Sequence, residues 1–81
     1  MSVNFSKEDK KVLEALYTED MYKEWIVEIT GLTISEVSIS LKKLKINSLV
    51  NCYYNFANEE QKLFWCITSM GEYYVDSEGR V

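Results

Sequence analysis

Residues 26–50 read IVEITGLTISEVSISLKKLKINSLV, and the spacing of their apolar residues decides the fold. Ile26 and Ile29 recur at helical spacing and are expected to face inward from a short helix over 22–30. Gly31 ends that helix, because glycine takes the positive φ of a tight turn without steric cost. Thr33 or Ser35 then caps a second helix that runs to about Asn47. In it Ile34, Val37, Leu41 and Leu44 form one stripe at spacings of 3, 4 and 3, while Ser35, Ile39, Lys42, Lys43 and Ile46 fall on the opposite face. Two helices joined by so short a turn are held at a fixed angle by their apolar residues, and the second can project its outer face.

On the N-terminal side, residues 6–19 read as a further helix. Ser6 is its cap, Asp9 completes a capping-box pattern, and Val12, Leu13, Leu16 and Tyr17 supply the apolar face. The TEDM segment breaks that periodicity, and a short strand before the helix at 22–30, or near Ile34, is left undecided. On the C-terminal side, LVNCYYNF and LFWCIT are rich in β-branched and aromatic residues and flank the polar ANEEQK. This pattern predicts a β-hairpin with a longer loop. Thr68 or Ser69 caps a final short helix bearing Met70, Tyr73 and Tyr74, before a tail, DSEGRV, expected to fray. The order is helix, helix, helix, strand, strand, helix: an α+β chain.

The chain has 81 residues, the size of one domain, so residues 1–81 are read as a single unit. Hydrophobic residues at 47% and charged residues at 27% place it among folded proteins rather than disordered ones. Aromatic residues at 14% are plentiful for so small a core, which leaves some rings available to a partner. No run of apolar residues approaches a bilayer span, MSVNFSKEDKK lacks the apolar core of a signal peptide, and no lipidation motif is present. The expectation is a cytoplasmic protein that does not engage membranes.

The absence of His excludes Ser-His and Cys-His catalysis. With no Gly-rich phosphate loop and no carboxylates at metal-binding spacing, no enzyme activity, metal site or cofactor is expected. Cys52 and Cys66, the only cysteines, fall in facing strands, either as two buried thiols or as cross-strand neighbours. The net charge of −4 runs against a general nucleic-acid binder. Its distribution runs the other way. Within 33–58, Lys42, Lys43 and Lys45 face only Glu36, so the acid lies elsewhere in the chain.

Residues 26–50 resemble the helix-turn-helix of small winged-helix regulators of the MarR, ArsR and Lrp kind, which read IAELTGLS followed by TVSRxLKxLExxGLV. The matching positions are Ile26, Ile29, Thr30, Gly31, Leu32, Val37, Ser38, Leu41, Leu44, Leu49 and Val50. CITSMGEYYV over 66–75 is similar to the LTxxGxxxV that follows the wing in those families, through Ile67, Thr68 and Gly71. The sequence departs from the pattern at Ile39, where Arg or Lys is usual, and at Ser48, where Gly is usual. Its wing is acidic, with Glu59 and Glu60 against Lys62.

The resemblance implies a winged helix-turn-helix: a three-helix core, a two-stranded β-hairpin wing and a short C-terminal helix. It implies sequence-specific binding of double-stranded DNA by a transcription regulator. The recognition helix would lie over 33–47 and the wing tip over 57–62. Lys42 and Lys43 are expected on phosphates, with Lys62 contributing from the wing. Thr33, Ser35 and Ser38 stand where a helix start favours phosphate, although Thr33 or Ser35 serves equally as a cap. Glu36 either accepts from cytosine or complements the helix dipole. Ile39 either touches thymine methyls or joins Ile46 in a protein-binding patch. Trp25 either covers the core or anchors a partner. Phe5, Tyr17, Tyr73 and Tyr74 are candidates for a homodimer interface. The alternative is a winged-helix protein-interaction module that does not bind nucleic acid.

Overall fold

The computed structural model describes residues 5–79. Its elements are α1 (Lys7–Thr18), β1 (Met21–Tyr22), α2 (Lys23–Thr30), α3 (Ile34–Ile46), β2 (Val50–Ala57), β3 (Glu60–Ile67) and α4 (Ser69–Gly79). The three strands form one antiparallel sheet in the order β1-β3-β2. β1 is the element that the sequence left undecided. It is two residues long and pairs Met21 with Trp65 and Tyr22 with Phe64.

The core is a single cluster under the three N-terminal helices. Val12, Leu13 and Leu16 of α1, Ile26 of α2, and Val37, Leu41 and Leu44 of α3 are essentially inaccessible, together with Met21 and Val50. Each such side chain contributes about 1.5–3 kcal/mol by leaving water. Three residues expected on inward faces are not in this core: Ile29 is 58% exposed, Ile34 47% and Tyr17 43%. Ile34 is the first residue of α3, so its stripe runs past the end of the packed region. The buried face of α3 is made by Val37, Leu41 and Leu44 together with Ser40.

α1 starts at the expected capping box. The Ser6 amide donates to the Asp9 carboxylate at 2.9 Å, and the Asp9 amide donates to the Ser6 hydroxyl at 3.2 Å. Asp9 does more than cap. It is buried, it hydrogen-bonds with the Ser40 side chain, and the Lys43 ammonium lies 3.0 Å from it. The same ammonium stands over the Phe5 ring at 5.4 Å, and Phe5 meets Tyr74 edge-on at 5.1 Å. Polar and aromatic contacts therefore join α1, α3 and α4 at one point.

α3 ends in a Schellman motif. The Leu49 amide donates to the Leu44 carbonyl and the Ser48 amide to the Lys45 carbonyl. Such an end needs a left-handed residue at the position after the cap, and Ser48 has φ 63°. That geometry is why glycine is usual there. The Ser48 carbonyl accepts from the Thr68 hydroxyl, which in turn accepts from the Gly71 amide at the start of α4. A Cβ at Gly71 would overlap the Leu49 carbonyl oxygen and the Ile67 side chain, so α4 can lie this close only on glycine. α4 continues to Gly79, beyond the point where the tail was expected to fray, and Arg80 and Val81 lie outside the described residues.

The hairpin differs from the expected long loop. β2 and β3 stay paired to Ala57 and Glu60, which leaves a two-residue turn at Asn58 and Glu59. Both turn residues are left-handed, with φ 53° and 64°, as the right-handed twist of a tight hairpin requires. Cys52 lies opposite Trp65 and Cys66 opposite Asn51, so the two thiols fall on opposite faces of the ribbon. Both are free and half-buried.

Two outcomes test this account. Burial alone would raise the Asp9 pKa, but hydrogen bonds from Ser40 and the Ser6 amide, with the Lys43 ammonium, hold it below the usual carboxylate value. Its contribution is therefore complete above the unfolded carboxylate pKa and is lost as pH falls through the lower folded value. Asp9→Asn should reduce unfolding free energy at neutral pH by about 1–3 kcal/mol. In urea titrations that gap should close in acid. Ser48→Gly should stabilise the chain by up to about 1 kcal/mol, since it relieves a left-handed side-chain residue and keeps the carbonyl contact to Thr68.

Candidate nucleic-acid interface

α2 and α3 are joined by Gly31, Leu32 and Thr33. Gly31 has φ 76° and donates to the Val27 carbonyl at 2.9 Å, closing α2. Thr33 caps α3. The Glu36 amide donates to its hydroxyl at 3.1 Å, and the Thr33 amide donates to the Glu36 carboxylate at 3.0 Å. Thr33 and Glu36 thus satisfy each other. Thr33 takes the capping role that the sequence left open, and Glu36 returns the bond through its carboxylate.

Beyond the cap, the buried face of α3 fixes its outer face. Ser35, Ser38, Ile39, Lys42 and Ile46 follow one another at helical spacing along it. Ile39 is 69% exposed, and Lys42, Ile46 and Ser35 are exposed with it. Lys43 is not part of this face. Its ammonium lies between Asp9 and Phe5 on the α1 side, with the side chain only 37% exposed. A phosphate contact by Lys43 beside Lys42 would compete with this internal pair. Neighbouring residues on a helix diverge by about 100°, so one of the pair could brace α1 while the other faced outward.

Lys23 lies near Lys42, on the wall of a shared cavity. A cavity of about 540 Å³ lies between α2, α3 and β3, lined by Lys23, Ser38, Lys42, Lys45, Ile46 and Trp65. A smaller one of about 250 Å³ adjoins it, lined by Tyr22, Lys23, Glu24, Lys62, Leu63 and Trp65. Lys23 and Trp65 belong to both, so basic side chains run from α3 across the start of α2 to the wing. Among the described residues, no ion pair is seen for Lys23, Lys42 or Lys45. Sequence reasoning missed Lys23. The available signal was electrostatic: a lysine at the first position of a helix opposes the positive end of the helix dipole, so stability alone does not explain it.

The wing is a fully paired ribbon with a mixed surface. Lys62 stands 5.0 Å over the Tyr22 ring and 3.9 Å from the Glu60 carboxylate, back from the turn. The turn presents Asn58 and Glu59. Tyr54 and Phe56 share a face with Cys52 and Val50 and extend it beyond the body, each 69% exposed. On the other face Tyr53 stacks on Phe64 at 5.9 Å, and Phe64 meets Tyr22 edge-on. The Tyr53 hydroxyl donates to Asp20 at 2.6 Å, which pushes its pKa up to about 12. Trp25 packs beside Tyr22 and against the core, the first of the two roles it could take.

The four aromatic residues expected at a dimer interface divide. Phe5 and Tyr74 pack on each other, and the Tyr17 hydroxyl donates to Asp76 at 2.8 Å, so these three brace α1 against α4 within one chain. Tyr73 is open to solvent, as is Met70 on the same helix. Among the described residues no group of acidic, Cys or His side chains could hold a metal ion, and no helix is long and apolar enough to cross a membrane.

No protein-family model matches the chain, and no curated protein matches it. Solved structures do. A PadR family transcription regulator from Clostridium difficile superposes with a TM-score of 0.86 at 16% identity, over 93% of this chain and 85% of that one. Bacillus subtilis PadR, in complex with operator DNA, gives 0.80 at 13% identity, over 90% of this chain and 46% of that one. The zinc-responsive MarR family member ZitR of Lactococcus lactis gives 0.81 at 19% identity, over 98% and 54%. This chain therefore spans about half the length of the last two. The shared feature at these identities is the architecture: the chain folds as a winged helix-turn-helix, with a third short strand added to the wing hairpin.

Proposed function

We propose that this chain is a cytoplasmic transcription regulator that binds double-stranded DNA in a sequence-specific manner. α3 enters the major groove with Ser35, Ser38 and Ile39 toward the bases, and Lys42 and Lys23 hold phosphates on either side. A major groove about 12 Å wide accepts a helix presented in this way. The observation that carries the reading is the outer face of α3, polar and small at its start and flanked by Lys23, Lys42 and Lys45 without acidic partners among the described residues. The likeness to a regulator seen with operator DNA supports it. The net charge is acidic, but no carboxylate lines the cavity that Lys23, Lys42 and Lys45 share. A second copy docking through α4, where Met70 and Tyr73 are exposed, would place two such helices on a two-fold operator.

Fluorescence anisotropy against duplex fragments of the host genome at low salt tests this reading. The expected result is binding whose log K falls with log salt by about 0.9 for each phosphate engaged. Lys42→Glu and Lys23→Glu should each weaken it by about tenfold or more. No binding to any fragment at micromolar protein would overturn the proposal. Glu59 at the wing tip supplies a converse check. Glu59→Lys should strengthen binding severalfold and steepen its salt dependence, since it replaces a repulsive charge beside the backbone.

A protein-interaction module is favoured by a different observation, the exposure of Ile39, Ile46, Tyr54 and Phe56. It predicts that the Lys42→Glu, Lys23→Glu double variant keeps its partner in pull-downs while Ile39→Ser loses it.

A further inference from the structure

The outer half of the wing exposes two rings. Tyr54 and Phe56 are each 69% exposed and stand two residues apart on one face of β2. Across the ladder the same face continues through Leu63 and Gln61, and at its inner end through Cys52 and Trp65. Alternation sends Glu60 and Lys62 to the opposite face, so no charged side chain of β2 or β3 lies on this one. Trp65 is also a wall of the cavity that Lys23, Lys42 and Lys45 line. Phe56 lies four residues along β2 from Cys52, the partner of Trp65, or about 13 Å. Within that distance an uncharged aromatic surface leads to a basic one.

The edge of β2 argues against an added strand as the occupant of this face. β2 is an outer strand of the sheet, and its Cys52 and Phe56 amides donate to the Asn51 and Asn55 side chains at 2.9 and 2.8 Å. Donors that a pairing strand would need are therefore taken. What remains on offer is a pair of rings and a group of ammonium ions, which suits a polyanion with open bases. Spacing narrows the choice. Side chains two apart on a strand stand about 6.6 Å from each other, whereas successive bases in one strand of a duplex rise by about 3.4 Å. Neighbouring bases can each meet one ring only when they have come apart.

We propose that the wing binds single-stranded DNA, with unpaired bases stacked on Tyr54 and Phe56 and phosphates of the same strand on Lys42 and Lys45. This goes beyond the duplex reading and does not depend on it, although Lys42 serves both.

The test is fluorescence anisotropy of the full chain with a labelled oligothymidylate of about 12 nucleotides and with an abasic strand of the same length and charge. The oligothymidylate should bind tighter by about tenfold or more, because the abasic strand has nothing to stack. Equal binding overturns the proposal without recourse to any variant, as does no binding of oligothymidylate at micromolar protein. The double variant Tyr54→Leu, Phe56→Leu keeps apolar area and removes the rings. It should lose about tenfold in affinity for oligothymidylate and none for the abasic strand, while Tyr54→Phe should bind as the parent chain does. Unchanged oligothymidylate binding by the double variant also overturns the proposal. Sedimentation should give the parent chain and the double variant the same mass. A dimer that only the variant loses would assign the face to a second copy and overturn the proposal.

Duplex fragments form a separate arm. Duplex binding without preference for oligothymidylate over the abasic strand would sink the stacking surface and leave the regulator reading standing. Oligothymidylate binding of the expected pattern with no duplex bound would do the reverse.

Discussion

The buried Asp9 carboxylate fixes the presentation of α3. It is held by its own helix through Ser6, and it holds α3 through Ser40 and Lys43. A buried charge without partners would be strongly unfavourable, so the pairing admits few alternative arrangements of the two helices. Because Lys43 is drawn inward, the rotation of α3 about its own axis is set. Ser35, Ile39 and Lys42 then face outward as a consequence of what is paired within. The polar contact and the apolar stripe of Val37, Leu41 and Leu44 specify the same rotation, and that agreement between levels is what makes a local geometry unique.

The helices were legible in the sequence because their signals are local. The capping box at Ser6, the Gly31 turn and stripes at helical spacing mark α1, α2 and α3 within a residue or two. The hairpin was legible in its strands but not in its turn. ANEEQK has the composition of a loop, yet cross-strand pairing carries the ladder to within two residues of the tip. β1 was not legible, since two residues give no periodicity and pair only because β3 lies beside them. Lys42 and Lys43 looked equivalent along the chain and separated only through a carboxylate 34 positions away from the second of them. Lys23 and Trp65 illustrate the same limit. Each has a plain local reading, and only the tertiary fold brings them into one cavity.

The departures from the winged-helix pattern now have distinct physical meanings. Ser48 occupies a left-handed position that glycine fills more easily, so it is a local cost of ending α3. Ile39 replaces a usual cation with an apolar side chain that is largely exposed. That shifts the outer face of α3 from charge toward shape and methyl contact. Glu59 and Glu60 place acid at the tip of the hairpin, beside Lys62, while Lys23, Lys42 and Lys45 lie around Trp65 nearer its base. The positive potential is thus concentrated where α2, α3 and β3 converge, and little of it reaches the outer end of the ribbon.

The two-residue turn leaves the hairpin without slack. A loop of six residues could bend at its own tip, whereas paired strands held from Val50 to Ala57 move as one lever. At about 3.3 Å per residue the tip stands roughly 25 Å from the near end of the strand, so a rocking motion of about 5° at the root would sweep it by about 2 Å. Trp65, shared by the core and the basic trough, sits close to the fulcrum. Small repacking around that indole would therefore be read at the far end of the ribbon as a change of aim.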